Sequence, residues 1–275
     1  MPVNFVPAQG SLPFLDHLRQ ESARFREVLA DAPAGAPVPT CPDWEADDLL
    51  WHLADVQWFW GQIAEDRLTR GEQIGALEQI RPRRPDDRAG LLACYDVSSA
   101  RLHRVLSEIP AETELWMWAE DHSAGYILRR QAHEALIHRV DAELTAGADR
   151  SPMDSGLAAD GVDEALRIMR GYEQEAGFTA TPMGAKLTIA GAGGEHAWTV
   201  TPVRVQGIDE KGSAWDVQRF LVVDGPDDEA AAEISGTTAD LDCWLWSRPT
   251  VGVIERHGDP VALAALDAVL AEAIG

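Results

Sequence analysis

Glu134 and His138 stand four residues apart in the run Arg129-Arg130-Gln131-Ala132-His133-Glu134-Ala135-Leu136-Ile137-His138-Arg139-Val140-Asp141. The run contains no Gly, no Pro and few β-branched residues, so it predicts a helix. Spacings of three, four and three place Gln131, Glu134, His138 and Asp141 on one helical face. A carboxylate and an imidazole one turn apart are both competent metal ligands. Most such pairs are ordinary surface ion pairs, so the reading turns on a third ligand. His133 is excluded from the set, because it projects about 100° away from Glu134 on the helical wheel. Asp141, one turn beyond His138, either orients an imidazole through its second nitrogen or pairs with Arg139 or Arg130.

His52 is the candidate third ligand. It interrupts an otherwise apolar face, Leu49, Leu53, Val56, Trp60 and Ile63, of a helix predicted over about 45–66. A lone histidine in a core more often simply finds a hydrogen bond. In a helical bundle, however, the inward faces of 45–66 and 126–147 meet, and His52 then approaches Glu134 and His138. Two imidazoles and one carboxylate with an open fourth position describe a catalytic zinc site, whereas a closed structural site recruits a fourth protein ligand. The loop before 126–147 carries Leu115-Trp116-Met117-Trp118 and His122. Trp116 and Trp118 either plug the end of the bundle or wall a ligand pocket, Gln131 is placed to line that pocket, and His122 is a further possible ligand or acid/base group.

These residues need elements to hold them. Helices are predicted over 11–31 (Leu12, Leu15, Leu18, Phe25 and Leu29, with Ser11 as cap), 45–66, 85–108 and 126–147, joined by short or Pro-rich connections. An up-and-down four-helix bundle over residues 1–150 follows. Over 151–275 the pattern changes to a helix at 154–175, short strands at 186–189, 197–200, 220–223 and 230–235, and helices at 236–246 and 260–273. This second domain reads as α+β with a mainly antiparallel sheet. The Gly-Ala-Gly-Gly at 191–194 lacks the pattern of a phosphate loop and reads as a hairpin turn.

A formal net charge of -23 argues against nucleic-acid binding. Arg81-Pro82-Arg83-Arg84 is too short a basic run to reverse that. Cys41, Cys94 and Cys243 are far apart and odd in number, which suits a reducing cytosol and no cysteine-based zinc site. The opening Met-Pro-Val-Asn-Phe-Val-Pro has no basic region followed by an apolar core, and no apolar run approaches the ~20 residues of a membrane helix. A cytoplasmic protein, monomer or homodimer, with no membrane partner is expected.

Val38-Pro39-Thr40-Cys41-Pro42-Asp43-Trp44, Asp48-Leu49-Leu50-Trp51-His52-Leu53, the Arg129–Asp141 run, Ser235-Gly236-Thr237-Thr238-Ala239-Asp240-Leu241 and Leu245-Trp246-Ser247-Arg248-Pro249 resemble, in this order, the mycothiol-dependent maleylpyruvate isomerase family. The resemblance implies a DinB-like metal-binding bundle followed by a small sterol-carrier-like α/β domain. It implies Zn2+ on His52, Glu134 and His138, mycothiol as thiol cosubstrate at the open position, and a supporting arginine from the second domain. Arg248 is the match for that arginine, with Arg219 and Arg204 as alternatives. Asp43 and Glu45 stand where the family commonly has Gly and Thr, and the Trp-rich 116–118 segment is also a departure. The expected activity is addition of a metal-bound thiolate to an electrophilic small molecule, as an S-transferase or a cis–trans isomerase. A metal-dependent hydrolase using the same site, a carrier of an apolar ligand and a zinc-bundle sensor are the rival readings. The lack of a cysteine beside the three candidate ligands counts against the sensor.

Overall fold

The computed structural model describes residues 12–209 and 212–272, and the chain divides into two compact units, Met1–Pro152 and Met153–Gly275. The expected cap Ser11 lies outside the described residues. No described helix is long and apolar enough to cross a membrane.

The first unit is a helical bundle of α1 (Phe14–Asp31), α2 (Ala46–Asp66), α4 (Arg88–Glu108) and α5 (Ala124–Ala146), with a short α3 (Gly71–Ile80) between α2 and α4. Local chemistry sets the ends that matter. Asp48 holds the start of α2, its Oδ2 accepting from the Glu45 N–H at 2.8 Å. Ser123 caps α5 by accepting from the Tyr126 N–H at 3.1 Å, and Gly147 ends it in the left-handed conformation (φ 63°). α1 packs chiefly along α5 and α2 chiefly along α4. Phe25, Leu29, Leu49, Leu50, Leu53, Leu91, Tyr95 and Ala142, drawn from all four long helices, share one buried cluster. α3 was not expected; only Leu77 of its ten residues is buried, so it leaves almost no apolar periodicity to read.

The second unit is a mixed α/β domain. Its helices are α6 (Ser155–Glu164), α7 (Thr238–Leu245) and α8 (Pro260–Leu270), and its strands β1 (Phe178–Pro182), β2 (Leu187–Gly191), β3 (Ala197–Ile208), β4 (Ala214–Asp224), β5 (Ala232–Gly236) and β6 (Glu255–Gly258). The strand order is β1-β3-β2-β5-β6, β4 lies along the other edge of β3, and the β2–β5 pair alone among them is parallel. Residues 191–194 make the β2–β3 turn, with Gly193 and Gly194 at φ 91° and 74°, a conformation that favours glycine.

The helix expected over 154–175 is shorter. After α6 the chain makes a π-helical turn over Ala165–Met169 and then doubles back. A Cβ at Gly171 would collide with the Arg167 carbonyl, so the reversal needs glycine there. Buried Arg170 donates from Nη1 to the Val269 and Glu272 carbonyls at 3.0 Å each, satisfying acceptors at the end of α8. β1 and β6 were not expected: β1 alternates Phe178 and Ala180 with threonines but is five residues long and buries none of them fully, and all four residues of β6 are exposed.

Candidate metal centre

α2 and α5 bring His52, Glu134 and His138 together, with one ligand atom from each lying within 4.8 Å of the others. Glu134 Oε1 is 3.3 Å from His52 Nε2 and 3.2 Å from His138 Nε2. The two imidazole rings meet edge-on, centroids 4.7 Å apart at 73°. His138 is buried; His52 and Glu134 are partly buried, with side chains 32% and 19% exposed. His52 therefore sits at the margin of the apolar face of α2, where the sequence reading had it among core residues.

Each member is held from behind. His138 Nδ1 is 2.9 Å from Asp141 Oδ2, and the other oxygen of fully buried Asp141 accepts from the Thr40 hydroxyl at 2.6 Å. With Asp141 as acceptor, one imidazole proton is fixed on Nδ1, so Nε2, which faces Glu134, is the nitrogen that becomes a ligand once its own proton leaves. Glu134 Oε2 accepts from Arg130 Nη2 at 2.6 Å, which leaves Oε1 pointing at the two histidines. Trp44 covers the rings, its centroid 4.8 Å from His52 and 6.5 Å from His138.

Burial pushes the Glu134 carboxyl up, but the Arg130 charge and hydrogen bonds from His138 and His52 hold it well below the usual range. Burial disfavours the charged form of His138, yet Asp141 and Glu134 on its two sides raise its pKa to about 9. Without a metal, a proton does the work of a cation between these groups.

The residues fit zinc. In a tetrahedral site with bonds of about 2.0–2.1 Å, neighbouring ligand atoms lie about 3.3 Å apart, which is the separation of each Nε2 from Glu134 Oε1. The donor set is two imidazole nitrogens and one monodentate carboxylate, with the imidazole tautomer already set for one of them. A cleft of about 410 Å³ opens beside His52 between Trp44, Trp51 and the carboxylates of Asp43, Asp48 and Asp55, with Arg84 at its edge.

Within the first unit, the remaining candidates do not line the cleft. Trp116 stacks on Trp60, centroids 5.9 Å apart, and meets Phe59 edge-on. Trp60 is eight residues, or about 12 Å, along α2 from His52. Trp118 is half exposed, and neither Trp116 nor Trp118 lines the cleft. Gln131 is buried one turn before Glu134, and its Oε1 has no hydrogen-bond partner among the described residues. His133 is buried edge-on to Phe14 of α1, ring centroids 6.1 Å apart. His122 lies in the loop before α5, its carbonyl accepting from the Leu115 N–H at 2.9 Å. In the second unit Arg248 follows α7 and donates to the Trp246 carbonyl at 2.7 Å, while Arg219 pairs with Glu272 and Arg204 with Asp216. Arg130 and Thr40 were missed as supports. Arg130 carried a legible signal, since it precedes Glu134 by one turn; Thr40, 101 residues from Asp141, carried none.

Residues 15–143 match the family model described as the mycothiol maleylpyruvate isomerase N-terminal domain. No protein of curated function matches the chain. Among solved structures the chain is similar to a crystal structure of a His-to-Ala mutant of the mycothiol-dependent maleylpyruvate isomerase, with a TM-score of 0.56 and 15% identity over 89% of this chain and 93% of that one. A second crystal structure, of the mycothiol-dependent maleylpyruvate isomerase, gives a TM-score of 0.50 at the same identity and coverage. At such identity the likeness is one of fold.

Proposed function

Because this chain belongs, through its domain at residues 15–143, to the mycothiol-dependent maleylpyruvate isomerase family, we propose that it is a zinc-dependent thiol enzyme. It uses mycothiol as cosubstrate and adds the thiol to an electrophilic small molecule. The observation that carries the reading is the convergence of His52 Nε2 and His138 Nε2 on Glu134 Oε1, at 3.3 and 3.2 Å, beside an open cleft. Those three residues would hold the ion. Zinc, when bound, supplies the positive charge that lets a thiol of pKa about 8.5 act as its thiolate near neutral pH.

The protein supplies position and exclusion. Arg130 occupies Glu134 Oε2, so Oε1 alone is offered. Asp141 accepts a hydrogen bond from the His138 Nδ1–H and so leaves Nε2 as the atom that would meet the ion. Trp44 shields the histidine rings from water on one side and leaves the cleft side accessible. The thiol sulfur bonds to an electrophilic carbon of the substrate as that carbon's π bond opens and its electron pair moves onto the neighbouring atoms. In a transferase the adduct keeps the C–S bond and takes up the proton the thiol gave away; in an isomerase, after rotation about the former double bond, the electron pair returns, the double bond re-forms and the thiolate leaves. The family resemblance gives stabilisation of negative charge on the substrate to an arginine, for which Arg248 is the sequence match.

The test is incubation of the zinc-loaded protein with mycothiol and a panel of electrophiles, read by mass. Thioether products identify a transferase, and a thiol-dependent rearrangement at constant mass identifies an isomerase. No thiol-dependent change with any electrophile overturns the reading in favour of a hydrolase or a carrier.

A further inference from the structure

The seam between α1 and α4 holds a cavity of about 530 Å³, on a different pair of helices from the metal centre. The two helices run antiparallel, with Arg26 level with Asp96 and Leu29 with Arg88. α1 packs chiefly along α5 and α4 along α2, so this seam is less closely filled. The sequence keeps it open. Ser22 and Ala23 on α1 and Ser99 and Ala100 on α4 occupy the middle of the two walls, and such small side chains leave a trough. Buried Leu18 and Tyr95 form its floor, and Tyr95 is fixed by donating its hydroxyl hydrogen to the Ser22 carbonyl at 2.9 Å.

The two ends of the trough differ. At one, Asp96 takes both Nε and Nη2 of Arg26, at 2.9 and 3.0 Å, so that guanidinium is largely engaged. At the other, Arg19 and His103 stand together, and no carboxylate lines the wall there. Arg19 makes one hydrogen bond among the described residues, from Nη2 to Asp16 at 2.8 Å, between side chains that are both more than half exposed. Its Nε and Nη1 remain open. His103 Nε2 is buried and has no hydrogen-bond partner among the described residues. Burial and the Arg19 charge hold the His103 pKa below its usual range, so the ring is neutral near pH 7.

A buried polar atom without a partner is unfavourable, and an open guanidinium edge beside it selects an acceptor that both can share. A carboxylate is that acceptor: one oxygen meets Arg19, and the other accepts from the imidazole in the tautomer that carries its proton on Nε2. An ammonium group meets only donors there and is repelled. Arg19 and Arg26 are seven residues apart, about 10 Å along α1, and the small side chains and the Tyr95 ring lie between them. An apolar body of that length fills the trough with its far end against the aliphatic stem of Arg26. Asp96 at that end repels a second carboxylate. Two guanidiniums and one carboxylate line this cavity, against one guanidinium and three carboxylates in the cleft beside His52.

We propose that the α1–α4 seam is a second binding site, for a monocarboxylic acid with a chain-like apolar body, its carboxylate between Arg19 and His103 and its body along the trough. Neither metal nor thiol enters this site, so it stands independently of the proposed activity. The experiment is isothermal titration of the full chain with octanoate, whose chain is about as long as the trough, and with octanol and octylamine as separate probes. Octanoate should bind, octanol about tenfold more weakly for the lost charge-assisted hydrogen bonds, and octylamine not at all. Ala100→Phe, at an exposed position, fills the trough and should abolish octanoate binding. Arg19→Gln should weaken octanoate about tenfold and leave octanol unchanged. No binding of octanoate, or octanol or octylamine binding as tightly as octanoate, overturns the proposal. So does octanoate binding that is unchanged in Ala100→Phe, which would place the acid elsewhere on the protein.

Discussion

Two polar clusters lie within ten residues of each other on α5, and they are built to opposite ends. One is Arg139 with Glu143. Fully buried Arg139 donates to Glu21 at 2.7 Å, to Glu143 at 2.9 Å and to the Ser151 carbonyl at 3.0 Å. Glu143 in turn accepts from Arg24 Nε at 3.1 Å and from the Ser151 hydroxyl at 2.5 Å. Burial pushes the Glu143 carboxyl up, and the bonds from Ser151 and Arg139 more than offset that, so it stays ionised below its ordinary range. The other cluster is Glu134, His138 and Asp141 with His52. Here Asp141 and Arg130 satisfy the outward atoms, while two nitrogens and one oxygen are turned toward one another. The first cluster contains its own cations, Arg139 and Arg24, each paired with Glu143. The second is arranged around a position where a cation is wanted. A buried charge on a helix thus says little about function until its partners are counted.

The largest expected effect breaks the second cluster. His138→Ala or His52→Ala should lose stoichiometric zinc in purified protein, and thiol-dependent turnover with it. Metal-free His52→Ala should melt close to metal-free wild type, whereas His138→Ala, which leaves fully buried Asp141 without its imidazole, should melt lower. Zinc content equal to wild type in both variants, by metal analysis, would remove the site. Next comes the closed cluster: Arg139→Ala leaves Glu143 and Glu21 without their shared buried partner and should cost about 3–5 kcal/mol in denaturant unfolding. Its folded fraction should still bind zinc, and a stable variant that had lost zinc would show that the two clusters are not separable. The smallest effect sharpens the boundary. Asp141→Asn keeps the shape but weakens the hold on His138 Nδ1, and zinc affinity measured by chelator competition should fall about 10- to 100-fold. An unchanged affinity would place Asp141 with the packing residues.

What the sequence made legible was whatever a single element could encode. Glu134 and His138 lie one turn apart because helix geometry puts them there, and the four long helices of the bundle announce themselves through repeated apolar positions. The four strands read from sequence, at 186–189, 197–200, 220–223 and 230–235, all have counterparts, though β3 and β4 run several residues further because their paired partners extend them. Features that depend on distant partners were not legible. Thr40 beside Asp141 and Arg84 beside Asp48 are tertiary facts. The basic run at 81–84 shows the same limit: a sequence displays charges without their counter-charges, here Asp55 and Glu78 for Arg81 and Asp48 for Arg84. α3 and β6 failed for the converse reason: they bury too little to leave a pattern.

The pairing of helices in the bundle gives the candidate metal centre a mechanical meaning. α1 lies chiefly with α5 and α2 with α4, so the bundle is two helix pairs laid side by side. His52 belongs to one pair and Glu134 and His138 to the other, and the centre therefore straddles the seam. An ion there would act as a rivet, and chelation would lower the work of parting the pairs by the stabilisation that the bound ion confers. Amide exchange along the facing turns of α2 and α5 would then report occupancy of the centre in a sample that has met no substrate at all.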